Sequence, residues 1–191
     1  MQRSWRTDHD KLTFIACQPL PGSQDVEENR KTVVARKYDA PDRMLGDVNL
    51  FLTPADEDEE GCIGELELMI APSTARRKGY GRAAILTFLS YIENHLDEIL
   101  EEYRAGAVAE ERKESGKMKL LMLRVKIGGK NEKSIRLFEG IGFVKTSEGE
   151  NYFGEVEMVF EGVIGRGRVG KLLEKFGIEG YREMQYMDVG P

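Results

Sequence analysis

The feature that most constrains the fold is an unbroken succession of strand, loop and helix between residues 62 and 100. From Cys62 to Ile70 apolar and polar residues alternate with a period of two, which predicts a strand that Pro72 closes. From Gly81 to about Leu100 apolar residues recur at helical spacing, which predicts a long amphipathic helix. A chain built around this unit is of the mixed α/β class.

The flanking segments extend the same pattern. Further strands are predicted at Lys11 to Cys17, Arg43 to Thr53, Leu120 to Ile127, and twice within Phe143 to Phe160 around a turn at Gly149 to Asn151. Helices are predicted at Asn131 to Glu139 and at Val169 to Phe176. Three segments are less regular: a polar loop at Gln18 to Arg30, an extra strand at Thr32 to Lys37, and a frayed helix extension or insertion at Tyr103 to Lys117.

The loop before the long helix concentrates positive charge. Arg76, Arg77 and Lys78 precede Gly79 and Gly81, where the helix starts. A helix N-terminus already carries partial positive charge and unpaired N–H groups, so cations there are unfavourable unless an anion sits among them. The loop therefore suits a phosphate or pyrophosphate cradle, although an ordinary basic surface turn remains open on local sequence alone.

Two other phosphate motifs fit less well. Gly79 to Ala84 matches the loose G-x-G-x-x-A form of a dinucleotide-binding turn, but Pro72 to Lys78 separate it from its strand, whereas that turn follows its strand directly. A Walker A loop needs a Gly-Lys-Ser/Thr step that the chain lacks.

Composition limits the classes of function. The chain has 191 residues, 40% of them hydrophobic, which suits one domain with a sizeable core. Its net charge of -6 disfavours binding to nucleic acid or to an anionic membrane, because both depend on basic surface. No apolar run reaches the roughly 20 residues of a membrane span, and the polar N-terminus is unlike a signal peptide. We expect a soluble, cytoplasmic protein.

Metal binding is not expected. Cys17 and Cys62 are the only cysteines and lack CxxC spacing, which fits a reducing compartment and argues against structural zinc. The acidic run within Thr53 to Gly61 is more typical of a solvated turn than of a metal site.

Two motifs in order carry a family resemblance. The Arg76-x-x-Gly79-x-Gly81 loop between strand and helix resembles the acyl-CoA pyrophosphate loop of the GNAT N-acetyltransferase superfamily. The segment from Asn131 to Phe143 resembles that superfamily's second signature helix. More narrowly, the segments at Gly46 to Thr53, Gly64 to Ser73 and Asn131 to Phe138 resemble its N-acetyltransferase-nine branch.

The resemblance covers about Ser4 to Phe160, so residues 1–161 are expected to form the acetyltransferase domain and 162–191 a C-terminal tail. It implies a mixed, mostly antiparallel twisted sheet flanked by helices, with splayed central strands. The family opens with a strand and two helices, and Met1 falls near the end of the expected second helix, so this section is expected to be missing.

The resemblance also implies where acetyl-CoA would bind. The backbone of Met69 and Ala71 would hold the pantetheine arm as an added strand, and the Met69 N–H would polarise the thioester carbonyl. The remaining cofactor contacts are implied for the loop and the second motif: Arg76, Arg77, Lys78, Gly79, Tyr80, Gly81, Arg82, Asn131 and Ser134.

A general base is expected on the same strand as Met69. Glu65 occupies the position where some family members place a catalytic glutamate, and Glu67 follows on the same strand face. Two carboxylates on a central strand suit a hydrated cleft, and their repulsion could make one of them able to take a proton from an amine. The alternative is an edge strand whose polar face meets solvent. Asp47 and Asn49 on the neighbouring strand are expected to shape the acceptor site.

Other catalytic groups are excluded or missing. His95 lies fourteen residues beyond Gly81, roughly 20 Å along the helix, and is expected to be an exposed helix residue far from the chemistry. His9 has no evident partner in the sequence. Phe138 stands where many family members have a tyrosine that protonates the leaving thiolate, and it has no proton to give.

The resemblance therefore implies an N-acetyltransferase that moves an acetyl group from acetyl-CoA to a primary amine of a protein or peptide. The amine would attack directly in a ternary complex, without a metal, and the acidic cleft suits a cationic acceptor. The alternative is a non-catalytic acyl-CoA-binding or protein-interaction domain that keeps the cofactor loop.

Overall fold

The computed structural model describes residues 8–19, 32–55, 61–109, 118–160 and 167–187. The strands are β1 (Lys11–Cys17), β2 (Thr32–Val34), β3 (Met44–Pro54), β4 (Cys62–Ile70), β5 (Leu120–Gly128), β6 (Phe143–Lys145), β7 (Glu155–Phe160) and β8 (Gln185–Met187). The helices are α1 (Tyr80–Ala109), α2 (Glu132–Ile141) and α3 (Arg168–Lys175), with short 3-10 turns at Pro41–Arg43 and Ser73–Ala75.

Six strands form one sheet in the order β1-β3-β4-β5-β7-β6. Within this sheet β4 and β5 run parallel and the other pairs are antiparallel. The parallel pair follows from the connection, since a crossover long enough to return the chain in the same direction is supplied by α1. The expected mixed α/β fold with a mostly antiparallel sheet is confirmed.

The two faces of the sheet differ in chemistry. Leu50, Leu66, Val125 and Met158 lie on one face and pack with α1 and α2 in the main core, each at most 2% exposed. The other face carries charged and polar side chains at the alternate positions of β3, β4 and β5. This alternation is typical of a sheet that is covered on one side.

Helix α1 extends beyond its predicted end. It continues to Ala109 because Tyr103 and Ala107, each 1% exposed, still face the core, so the helical reading of this extension holds as far as Ala109. Residues 110–117 lie outside the described residues. The helix contains one non-helical residue, His95, at a kink.

The structure gives both histidines contacts that the sequence analysis did not predict, and His95 is half-buried rather than exposed. The His95 ring packs against Tyr91 with 4.4 Å between ring centroids, and its nitrogens lie 2.7 Å from Glu183 and 2.5 Å from Glu98. His9 packs on α1 against Gly106, at the level of Tyr103. The contacts of His95 with Glu183 and of His9 with α1 join residues distant in sequence.

The C-terminal residues dock on the sheet and helices. Val169 in α3 is fully buried in the main core, and the Arg82 guanidinium lies 4.3 Å from the centre of the Phe176 ring. β8, which the sequence did not predict, pairs in parallel with β2 in a separate two-stranded sheet. The extra strand predicted at Thr32 to Lys37 is real but ends at Val34. The domain boundary at residue 161 stays a prediction.

In the described ranges, no helix combines the length and apolar character needed to cross a membrane. No group of three or more metal-ligating side chains comes together among the same residues. Residues 56–60 of the acidic run are outside them.

Candidate active site

The two central strands diverge at one end of the sheet. β4 pairs with β5 over Cys62–Glu65, and the ladder ends at the Glu65–Arg124 pair although both strands continue. A cavity of about 380 Å³ fills the gap beyond this point, with a lining from β3, β4, β5 and α2. The expected splay of the central strands is therefore present, and we call this cavity the cleft.

Register decides which peptide groups of β4 face the cleft. The Ala71 N–H donates to Leu45 in β3, and the Ala55 N–H donates to Gly61 across the other end of the same ladder. Hydrogen bonding alternates along an antiparallel pair, so every second residue of β4 between Gly61 and Ala71 also bonds β3. The register has no shift, and Met69 is therefore one of the residues that bond β3. The groups turned toward β5 are those of Leu68 and Ile70.

This alternation moves the expected backbone contacts of the pantetheine arm by one residue, from Met69 and Ala71 to Leu68 and Ile70. The Met69 and Ala71 N–H groups point to β3, so they are not available to a molecule between β4 and β5. Leu68, which the sequence reading missed, presents its N–H to the cleft. Strand periodicity alone could not have identified it, because the choice depends on how β4 pairs with β3. The Met69 side chain still lines the cleft.

The basic loop follows the open end of the cleft. Arg76 does not project freely, since its Nε and Nη2 donate to the carbonyl oxygens of Ile70 and Ala71 at 2.8 and 3.0 Å. This bracing holds the loop against the end of β4. Arg77 and Lys78 are exposed, and Arg77 adopts a left-handed backbone with φ 64°. Arg77 and Lys78 therefore supply exposed positive charge that, unlike the Arg76 guanidinium, does not brace the end of β4.

The two loop glycines have different structural reasons. Gly79 has φ +90°, and a Cβ there would meet nothing within 4 Å, so the backbone conformation is what demands glycine. At Gly81 a Cβ would lie 3.3 Å from Leu68 Cδ2 and 3.6 Å from Leu137 Cδ2, so glycine lets α1 pack on β4 and α2 without a shift of the Leu68 side chain. The loop thus leaves its backbone open while the helix start is packed tightly.

Helix α1 begins with N–H groups directed at the loop. The Ala83 N–H donates to the Gly79 carbonyl, which is the first hydrogen bond of the helix. The N–H groups of Tyr80, Gly81 and Arg82 come before it and therefore have no acceptor within the helix. The Arg82 side chain points elsewhere, toward Phe176. Only the backbone of Arg82, not its guanidinium, is therefore expected at the loop.

The second motif borders the same cleft. Asn131 caps α2 by accepting a hydrogen bond from the Ser134 N–H at 3.3 Å, and both residues line the cleft. Phe138 also lines it, although it is only 4% exposed and packs edge-on against Phe143. The side chain at this position is a buried hydrocarbon ring that supplies no acid.

The two carboxylates predicted as bases have different surroundings. Glu65 Oε2 lies 2.9 Å from Arg124 Nε and 3.0 Å from Lys126 Nζ, so two cations on β5 match its charge. Glu67 is exposed and lines the cleft, whereas Glu65 does not line it. The expected repulsion between the two carboxylates is offset by this ion-pair cluster, which sequence spacing could not show.

A second depression, of about 480 Å³, lies between α2 and the turn that joins β6 to β7. Its charged side chains have both signs, among them Glu132, Arg136 and Lys145. It shares no lining residue with the cleft.

The comparisons with known proteins agree with this arrangement. Residues 3–144 match the family model described as Acetyltransferase (GNAT) domain, which is most of the chain. The chain belongs to the GNAT acetyltransferase family. Membership confirms the expected class, an acetyl-CoA-dependent acyltransferase, at the level of the family.

Relatives of known name lie in one branch of the GNAT family. The N-acetyltransferase 9-like protein of Schizosaccharomyces pombe is 35% identical over 83% of this chain and 73% of its own length. The Alpha/beta-tubulin-N-acetyltransferase 9 of Drosophila melanogaster is 36% identical over 76% of this chain and 56% of its own length. The human protein of the same name is 35% identical over 75% of this chain. The match thus spans about half of the two animal proteins, at 56% and 52% of their lengths.

Similarity to solved GNAT structures is weaker. The NAA60 structure of Arabidopsis thaliana in complex with a bisubstrate analogue is 14% identical, with a TM-score of 0.48 over 79% of this chain and 76% of that chain.

Proposed function

We propose that this chain transfers an acetyl group from acetyl-CoA to a primary amine of a protein or peptide. The observation that carries the proposal is the cleft. At its open end β4 turns the N–H groups of Leu68 and Ile70 into the gap, and the basic loop and the start of α1 follow directly. These are the features required by an extended pantetheine arm that carries an acyl group at one end and a pyrophosphate at the other.

The residues present fit such a molecule. An extended arm can pair with the free edge of β4 as an added strand, because the Leu68 N–H is not used by β3. The Gly79 backbone is open, and the first N–H groups of α1 favour negative charge. Arg77 and Lys78 add positive charge from exposed side chains.

Acetyl-CoA supplies the activated acetyl group. The Leu68 N–H is the donor placed to polarise a carbonyl in the cleft, as an oxyanion stabiliser must be. Glu67 lines the cleft and takes the proton from the acceptor ammonium. The freed amine attacks the thioester carbonyl, so the C–N bond forms and the C–S bond breaks. The second proton lost by the nitrogen passes to the departing thiolate or to water, because Phe138 has no proton to give.

The acceptor is proposed to be cationic and to enter from the polar face of the sheet. Glu67 and Asp47 both line the cleft, and their strand positions are diagonal neighbours in the β3–β4 ladder. Proteins named alpha/beta-tubulin-N-acetyltransferase 9 among the relatives support a protein acceptor, and αβ-tubulin is the first one to test. A cytoplasmic location would suit this acceptor.

The experiment combines binding with turnover. The purified chain is titrated with acetyl-CoA by calorimetry, and acetyl transfer is then measured with αβ-tubulin and with a library of peptides that have free α-amines. The Arg77→Glu/Lys78→Glu variant should bind acetyl-CoA at least tenfold more weakly. Lys119→Glu, an exposed charge reversal at the opposite end of the sheet, should bind it normally.

Two outcomes contradict the proposal. A folded wild-type chain that does not bind acetyl-CoA removes the cleft as a cofactor site. A chain that binds acetyl-CoA but acetylates neither acceptor set supports the non-catalytic alternative instead.

A further inference from the structure

A hydrogen-bonded relay of three side chains joins β1 to β3 beside the cleft. The Thr13 hydroxyl of β1 donates to Asn49 Oδ1 of β3 at 2.7 Å, and Asn49 Nδ2 donates to Asp47 Oδ1 at 2.7 Å. Asn49 is 6% exposed, which makes it one of the few buried polar residues of the sheet. Asp47, at the end of the relay, lines the cleft.

The chemistry of the three groups fixes the direction of the relay. An ionised carboxylate only accepts hydrogen bonds, so Asn49 must turn its NH₂ group toward Asp47. Its carbonyl oxygen then faces Thr13, whose hydroxyl is the matching donor. Thr13 and Asn49 are directly opposite each other in the β1–β3 register, which brings the two side chains together.

The relay acts on a carboxylate beside the reacting end of the cleft. Asp47 is opposite Met69 in the register and Asn49 is opposite Glu67. Lys126 also lines the cleft, but its ammonium is held 3.0 Å from Glu65. This ion pair holds the Lys126 ammonium at Glu65, and β4 separates β5 from the relay on β3. The carboxylates of Asp47 and Glu67 therefore dominate the charge where an acceptor enters.

We propose that Asn49, oriented by Thr13, is a positioning residue that holds the Asp47 carboxylate at the cleft to bind the ammonium of a cationic acceptor. The inference rests on the proposed function and adds the group that selects the acceptor. A purely structural role for Asn49 makes a different prediction: its replacement would leave the Thr13 hydroxyl and the Asp47 carboxylate without their partner and lower the stability of the fold, with no change in the acceptor KM.

The test measures kinetics for Thr13→Val, Asn49→Leu and Asp47→Asn. The acceptors are αβ-tubulin and the peptides with free α-amines, and calorimetry measures the Kd for acetyl-CoA. Each variant should raise the acceptor KM by about tenfold, the loss expected for one charge-assisted contact, with little change in kcat. The Kd for acetyl-CoA should stay within about twofold of the wild-type value.

Two matched variants separate positioning from general damage. Thr13→Ser keeps the hydroxyl and should keep the wild-type KM. Thr53→Val removes a hydroxyl from an exposed position near the far end of β3 and should change nothing. Thr13→Val changes only the side chain that orients Asn49. It therefore still tests the positioning role if Asn49→Leu fails to fold.

The outcomes are distinguishable. Unchanged KM in folded Thr13→Val and Asp47→Asn chains overturns the inference and leaves the proposed function standing. A wild-type chain that binds acetyl-CoA but transfers no acetyl group refutes the proposed function, and the inference with it, before any variant is made.

Discussion

Replacing Glu65 and Glu67 separately with glutamine should give opposite results. Glu65 is held by Arg124 and Lys126, and the three side chains are between 21% and 31% exposed. Removing its charge takes this partner from both cations of β5, although Arg124 keeps a longer contact with Glu157, 3.8 Å from Nη1 to Oε2. Partly buried, charge-assisted contacts of this kind contribute about 1–3 kcal/mol to the free energy of unfolding.

That loss sets the size of the effect. For a chain of this length each kcal/mol lowers the melting temperature by roughly 2–4 °C, so Glu65→Gln should melt about 2–12 °C below the wild type. Its kcat should fall by less than about tenfold, because its carboxylate is not in the cleft. Glu67→Gln should melt normally and lose about 100-fold or more in kcat, as removal of a general base does.

The assay pairs thermal unfolding with steady-state acetyl transfer for the same protein preparations. Acetyl transfer is measured with purified protein rather than with lysates, because a destabilised Glu65 variant would be less abundant in a lysate and would be mistaken for an inactive enzyme. If Glu65→Gln keeps its melting temperature and loses activity while Glu67→Gln stays active, the assignment of the two carboxylates is reversed and the reasoning from the ion pairs is refuted.

Three further predictions concern the loop and the C-terminal residues. Gly79→Ala should weaken acetyl-CoA binding, measured by calorimetry, because φ +90° costs a non-glycine residue about 1–2 kcal/mol and no side chain blocks the site. Unchanged affinity would contradict a role for this backbone. Val169→Ala should lower the free energy of urea unfolding by about 1.5–3 kcal/mol because the side chain is fully buried, and a smaller loss would mean that α3 is not docked in solution. Hydrogen bonds that the His95 ring donates to the carboxylates of Glu183 and then Glu98 raise the pKa of His95. Its contribution to stability is therefore fully present below the unfolded-state pKa of about 6.5 and is lost as pH rises through the higher folded value. Urea unfolding from pH 5.5 to 8.5 should show this loss in the wild type and not in His95→Gln; parallel curves would contradict it.

Local patterns were sufficient where one segment determines its own structure. The strands at Lys11–Cys17 and Cys62–Ile70 end at their predicted residues, because period-two alternation and the flanking turn residues are local signals. The same holds for the start of α2, whose predicted first residue, Asn131, is its N-cap. The mixed α/β class followed from the order of such segments, and the family was expected from the resemblance of the Arg76 to Gly81 loop and the Asn131 to Phe143 segment.

What the sequence could not supply depends on pairing between distant residues. Whether Leu68 or Met69 faces the cleft is set by the register of β4 on β3, and a shift of one residue reverses the answer. The partners of Glu65 come from β5, across a crossover that begins after Ile70. β8 is three residues long and forms by pairing with β2, so no local sequence pattern predicts it.

The most direct test of the account is a titration of the labelled chain with acetyl-CoA, followed by NMR measurement of amide exchange along β4. The account predicts that the Leu68 and Ile70 amides, which face the cleft, become protected on binding, while the Met69 amide, already directed to β3, changes little. Protection of Met69 with Leu68 unchanged would contradict the register argument. Saturable binding without protection anywhere between residues 66 and 70 would contradict the cleft as the acetyl-CoA site.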